Sequence, residues 1–218
     1  MKDSEIKSTI DRYSKRLKEH GATEKALGWG DKGRSKLRFE MLVSQWNFDN
    51  ASVLDFGCGF GDLCAYMKER GFKNFRFTGI DINPELIAIA KERYPEADFQ
   101  CLNLLTEPDI AEVDYILASG TFNFKIADCF AFVKDAFTRF DKIAKKGFAA
   151  NFLSNKVDYE LGDVYHADPA QILDLAYLFS KNVVLRNDYM PFEFSVFVNK
   201  SAKIDPKLTV YEDYVKFV

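Results

Sequence analysis

The sequence predicts an α/β protein built on a doubly wound, mostly parallel sheet. Three observations carry that reading. From Ser52 onward, short apolar runs alternate with amphipathic helical ones. The first such run leads into the turn Gly57-Cys58-Gly59-Phe60-Gly61, which opens a helix. The last two runs are joined too closely for a parallel crossover, which needs a dozen or more residues, so they form an antiparallel hairpin.

The elements follow in order. Ile6, Ile10, Tyr13 and Leu17 share one helical stripe, Lys7, Arg12, Lys15, Arg16 and Lys18 fill the other faces, and Gly21 ends the helix. A glycine-rich joint, GWGDKG at 28–33, precedes a second helix over 35–46, with Leu37, Met41, Val43 and Trp46 inward. Strand 52–56 feeds the glycine turn, and helix 62–70 follows, stopped by Gly71. Strand 75–81 leads to a helix that Asn83 caps, Pro84 starts and Pro95 breaks. Strands 97–101 and 113–118, a long helix over 126–144, strand 147–153, helix 169–180 and the hairpin strands 182–189 and 191–198 complete the pattern. The chain divides into an N-terminal helical lid or cap (1–50), the sheet domain (51–200) and a tail (201–218). In the tail, Tyr211, Tyr214, Val215 and Val218 share a helical face, which suits packing on its own domain or a homodimer contact.

Composition removes several function classes. Lys plus Arg is 30 and Asp plus Glu is 33, a net charge of −3, so the basic footprint of a nucleic-acid binder is missing. No apolar run approaches the ~20 residues of a membrane helix, and the N-terminus has no apolar region of a secretory signal. Cys58, Cys64, Cys101 and Cys129 form no CxxC pair, and with two His they complete no zinc pattern. Four reduced thiols in a cytoplasmic protein is the simplest reading, with no metal. The 21 Phe and 10 Tyr call for a large core or an apolar pocket.

The glycine turn admits three ligand classes. A phosphate loop of the GxxxxGK[ST] type is excluded, because no Lys-Ser or Lys-Thr follows. A dinucleotide loop wants GxGxxG; here the third glycine comes one residue early, and Asp62 would face a pyrophosphate unfavourably. S-adenosylmethionine carries no phosphate and suits the loop. Asp81 ends the second strand about 20 residues beyond the loop, where a carboxylate accepts hydrogen bonds from both ribose hydroxyls.

Residues 50–200 resemble a class I S-adenosylmethionine-dependent methyltransferase. The resemblance rests on VLDFGCGFGDL, on GIDIN, on DYILASGTFNF and on the final hairpin. YSKRLKEHGATEKALGWG and RNDYMPFEF resemble a subgroup of small bacterial members. It implies a Rossmann-like seven-stranded sheet in the order 3-2-1-4-5-7-6, with strand seven reversed. It also implies the cofactor residues. Asp55 would orient the methionine amino group, and Gly57, Cys58, Gly59, Phe60 and Gly61 would pack on the methionine part. Asp81 would hold the ribose, Ile82 would lie beside the adenine, and Asn103 and Leu104 would sit at the adenine amino group, where the family often has Asp. Ala118, Ser119 and Gly120 would lie beside the methyl donor. A nucleotide-dependent oxidoreductase and a non-catalytic cofactor-binding scaffold remain as alternatives.

Methyl transfer from a sulfonium is an in-line displacement in which the protein mainly positions the acceptor and excludes water. The expected acceptor is a small molecule, methylated on oxygen or nitrogen, with S-adenosylhomocysteine as product. His166, in a loop after the fifth strand, is the candidate base. Asn123 and Tyr189 are further catalytic candidates. Trp29, in the glycine-rich joint, suits a lid over the cofactor, and Tyr13, on the helix stripe, is a further cofactor-binding candidate whose simpler role is core packing. Asn151 lies at a strand end near the crevice, and Glu193 falls on the outward phase of its strand.

Overall fold

In the computed structural model, which describes residues 1–28, 32–107, 110–159, 161–200 and 216, β1 (Ser52–Phe56) is buried on both faces beyond its first residue. Trp29 and the tail residues Tyr211, Tyr214, Val215 and Val218 lie outside the described residues. Two helices precede the sheet, α1 (Asp3–His20) and α2 (Lys32–Val43). After β1 come α3 (Asp62–Glu69), β2 (Arg76–Asp81), α4 (Pro84–Arg93), β3 (Asp98–Cys101) and β4 (Val113–Ala118). α5 (Cys129–Ile143), β5 (Ala144–Ser154), β6 (His166–Ala167), α6 (Pro169–Ala176), β7 (Asn182–Arg186) and β8 (Glu193–Asn199) follow.

The strands lie in the order β3-β2-β1-β4-β5-β8-β7. β8 runs antiparallel to both β5 and β7, and the other pairings are parallel. This is the expected sheet. The two-residue β6, paired with β5, is additional and shifts the numbering of the hairpin strands. Among the described residues no helix is long and apolar enough to cross a membrane.

Both faces of the sheet are covered, which accounts for the phenylalanines. Phe137, Phe140 and Phe148 pack between the sheet and α5. Phe122, Phe152 and Phe194 stack in series, with centroids 5.3 Å apart at each step. Removing one such buried ring costs about 3–5 kcal/mol. On the opposite face Leu42 and Val43 of α2 meet Leu63 and Met67 of α3 over Val53, Leu117 and Phe197.

Two of the boundaries that differ from expectation have a visible physical cause. α5 starts at Cys129, because the Asp128 carboxylate accepts the Ala131 N–H at 2.9 Å and caps it there. α2 ends at Val43, and Trp46 turns back to stack on Tyr115 at 4.9 Å while its indole N–H donates to Asn199. The buried face of α2 is Phe39, Leu42 and Val43, and Leu37 and Met41 are half-buried beside it. Asn83 caps α4 as expected, accepting from the N–H groups of Glu85 and Leu86.

Candidate functional site

The C-terminal ends of β1, β2 and β4 surround one cavity, and the glycine turn forms its floor. The turn needs glycine for two reasons. Gly57 has φ +77°, and a Cβ there would lie 2.4 Å from the Thr121 hydroxyl. Gly61 has φ +79°, and a Cβ would lie 2.6 Å from the Phe99 ring. Gly57 and Cys58 both donate their N–H to the Ile80 carbonyl, at 2.8 and 2.9 Å, which clamps the turn against β2.

Two carboxylates face this cavity in different states. Asp81 accepts from the N–H of Gly59 at 3.1 Å and from that of Asn83 at 2.9 Å. Burial pushes its carboxyl above the ordinary value, and these N–H groups oppose that shift. Asp55 is 2% exposed, and among the described residues nothing hydrogen-bonds to its carboxylate. Burial pushes it well above the ordinary range, and the nearby charges of Asp81 and Asp62 push it further. A buried, lining carboxylate in that condition fits a cationic ligand group.

Asp62, at the start of α3, also lines the cavity and is tied to the Arg93 guanidinium and the Tyr94 hydroxyl, each at 3.3 Å. Asn151 is 1% exposed and acts behind the wall. Its carbonyl oxygen accepts the Gly120 N–H at 2.7 Å, so it fixes the loop after β4. Thr121 donates its hydroxyl to the Phe56 carbonyl at 2.6 Å and joins that loop to β1.

One wall belongs to α1. Ile6, Thr9, Ile10 and Tyr13 face the cavity, and no residue of α1 is fully buried. The helix is held by polar contacts: Arg12 to Asp163 at 2.7 Å, the Asn83 amide to the Ile10 carbonyl at 3.3 Å, and Glu5 to the Ala127 N–H at 3.0 Å.

Of the residues named from sequence, Asp55, Gly57, Cys58, Gly59, Asp81, Ile82, Asn103, Ser119, Gly120 and Tyr13 line this cavity together. Phe60, Gly61, Leu104 and Ala118 are buried behind it. Phe60 packs on Ala26 and Leu86 beneath the Arg93 guanidinium, and Phe122 is in the core, whereas Phe124 lines the cavity. Asn103 also caps a turn, accepting the Leu105 N–H at 3.1 Å.

His166, Asn123 and Tyr189 are not among the lining residues. A ring nitrogen of His166 is 2.9 Å from the Ser154 carbonyl, because β6 pairs with β5 and holds it there. Asn123 accepts the Leu153 N–H at 3.1 Å, and the Tyr189 hydroxyl bonds Ser195 at 2.9 Å within the hairpin. Glu193, expected on a solvated face, is 2% exposed and paired with the Arg38 guanidinium on α2. β8 is buried along its whole length, so strand alternation has no solvent side there. Glu24, Ser35, Leu27 and Phe39 line the cavity without having been foreseen. They come from the segment between α1 and α2 and from α2 itself, where no local motif marks a ligand wall.

A family model described as a methyltransferase domain matches residues 53–147. A Mycobacterium tuberculosis protein assigned to the methyltransferases, Rv1506c, is 34% identical over 164 residues, covering 71% of this chain and 96% of its own length. The malonyl-[acyl-carrier protein] O-methyltransferase of Acetivibrio thermocellus is 32% identical over 86 residues, covering 37% of this chain and 30% of its own. Among solved structures, magnesium protoporphyrin IX methyltransferase from Synechocystis superposes with a TM-score of 0.61 at 13% identity, covering 89% of this chain and 95% of that one. The DhpI complex with S-adenosylhomocysteine gives 0.63 at 17% identity, covering 88% and 95%. At such identities these two establish the fold.

Proposed function

Because the chain belongs to the class I S-adenosylmethionine-dependent methyltransferases, we propose that it methylates oxygen or nitrogen of a small-molecule acceptor. The single observation that carries the cofactor assignment is the pairing of an unpartnered Asp55 with a backbone-held Asp81 around one glycine turn. S-adenosylmethionine supplies an activated sulfonium methyl when bound. Asp55 would accept its ammonium group, and Asp81 its ribose hydroxyls. Ile82 and Asn103 would flank the adenine, and Ser119 and Gly120, held by Asn151, would border the reacting methyl.

The chain's own residues then orient and enclose. α1 closes one side of the cavity with Ile6, Ile10 and Tyr13, which supports a lid role for the N-terminal helices and excludes water from the reacting centre. No histidine or lysine lines the wall among the described residues. That supports positioning, not general-base chemistry, as the main contribution. The four unpaired cysteines support a reducing, cytoplasmic setting.

The test is a labelled-methyl transfer assay against a cell metabolite extract, read by mass spectrometry. Label transferred to a low-mass product is expected. Transfer to protein or nucleic acid alone would overturn the small-molecule assignment, and no transfer to any fraction would favour a non-catalytic scaffold.

A further inference from the structure

Two sets of hydrogen bonds hold the cavity wall. On one side the glycine turn and the end of β2 fasten each other: Gly57 and Cys58 donate to the Ile80 carbonyl, and Asp81 accepts from Gly59 and Asn83. On the other side runs the loop after β4, which contributes Ser119, Gly120, Thr121, Phe124 and Ile126 to the wall. β5 grips this loop. The ladder between β4 and β5 ends at the pair Ala118 and Ala150, and Gly120 turns the chain away with φ +71°. Beyond the ladder a side chain takes over, and the Asn151 amide oxygen accepts the Gly120 N–H at 2.7 Å. The Asn151 amide nitrogen lies 3.5 Å from the Ser119 hydroxyl, and the Leu153 N–H donates to the Asn123 side chain at 3.1 Å. α1 docks on the same loop, where Glu5 accepts the Ala127 N–H and Arg12 lies over the Phe124 ring. The Thr121 hydroxyl, bonded to the Phe56 carbonyl, links the loop to β1.

Packing does not call for an amide at 151. Its neighbours Ala149, Ala150 and Phe152 are buried apolar residues, and Asn151 is itself 1% exposed. A buried amide costs free energy unless its groups are paired. An apolar residue would avoid that cost but would leave the Gly120 N–H without its acceptor. Asn151 is not among the lining residues, so it reaches the reacting centre only through Gly120 and Ser119. In the reading above those two border the methyl, whereas Asp55 and Asp81 hold the ammonium and the ribose of the cofactor. The two fastenings therefore give separable losses. Loosening the loop misplaces acceptor and methyl relative to each other and leaves the contacts at Asp55 and Asp81 intact. A displacement of about 1 Å at a reacting centre costs on the order of a hundredfold in rate.

We propose that Asn151 is a positioning residue for methyl transfer, which sets the acceptor side of the cavity through Gly120 and takes no part in holding the cofactor. The proposal rests on the methyl-transfer reading, and its test separates the two. S-adenosylhomocysteine binding to the full chain is measured by calorimetry. Initial rates of labelled-methyl transfer into a fixed amount of metabolite extract are then followed as S-adenosylmethionine is varied. A wild-type chain that binds no S-adenosylhomocysteine, or transfers no label, defeats that reading and the proposal with it. Asn151→Ala should lower the apparent kcat at least about tenfold, with the KM for S-adenosylmethionine and the Kd for S-adenosylhomocysteine within about threefold of wild type. Asn151→Asp keeps an acceptor oxygen for the Gly120 N–H and should restore turnover to within about threefold. Should Asn151→Ala show no thermal transition, Asn151→Ser, whose hydroxyl is too short to reach Gly120, carries the same expectation. Turnover within about threefold of wild type in the shortened variant, turnover and cofactor affinity falling together, or Asn151→Asp as slow as the shortened variant would each overturn the proposal.

Discussion

Glu193 and Asp55 are equally buried, each 2% exposed, yet they have opposite surroundings. Glu193 receives the Arg38 guanidinium, whose Nε lies 2.7 and 2.8 Å from its two oxygens. That pair closes α2 onto the start of β8 and leaves nothing for a ligand to satisfy. Asp55 receives no hydrogen bond from the described residues and lines the cavity. Two carboxylates at the same end of one sheet therefore serve different ends. The partnered one holds the fold together, and the unpartnered one raises the free energy of the empty protein and is relieved by a cation.

The largest expected effect breaks the closed pair. Glu193→Ala leaves Arg38 without its carboxylate in a buried setting and should cost about 3–5 kcal/mol, read as a shift in the urea midpoint. A loss below about 1 kcal/mol would mean the pair behaves like an exposed bridge. Asp81→Ala comes next. It removes the acceptor of the Gly59 and Asn83 N–H groups and the proposed ribose contact, so affinity for S-adenosylhomocysteine should fall by more than about tenfold at roughly 1.5–3 kcal/mol per charge-assisted bond. Unchanged affinity would remove Asp81 from the cofactor site.

Asp55→Asn should do the reverse of Glu193→Ala for stability. It deletes a buried charge that has no partner, so the melting temperature of the ligand-free protein should rise by about 2–4 °C for each kcal/mol relieved. The same logic fixes a pH dependence. The Asp55 carboxyl is raised in the folded state above its unfolded value, so the native protein holds the extra proton. Its stabilising contribution is complete below the ordinary carboxylate range and is lost as pH rises through the raised value. The thermal midpoint should decline over that window in the wild type, and Asp55→Asn should flatten the decline. The smallest expected effect is at His166, whose ring is held by the Ser154 carbonyl outside the cavity wall. His166→Ala should leave turnover within about threefold, because a base acting on the substrate contributes roughly a hundredfold or more. A hundredfold loss would instead return it to the reaction.

The same contrast shows what sequence carries. The glycine turn, Asp55 and Asp81 were legible because local backbone demands place them: positive φ at Gly57 and Gly61, and acids where strands end. Glu193 was not legible, because its partner Arg38 lies 155 residues away and strand alternation says nothing of a strand buried on both faces. The stripe Ile6, Ile10 and Tyr13 was visible as an apolar face, but a helical period does not say whether that face meets core or cavity. His166 followed from the general wealth of function in loops, and pairing of β6 with β5 holds it elsewhere.

The most direct measurement of the central claim is a calorimetric titration of the full chain with S-adenosylhomocysteine, run beside Asp55→Asn. The expected result is one-to-one binding by the wild type and affinity weaker by roughly tenfold in the variant, the scale of one charge-assisted hydrogen bond. Equal affinity in the two proteins, or binding of a nicotinamide dinucleotide in place of S-adenosylhomocysteine, would contradict it.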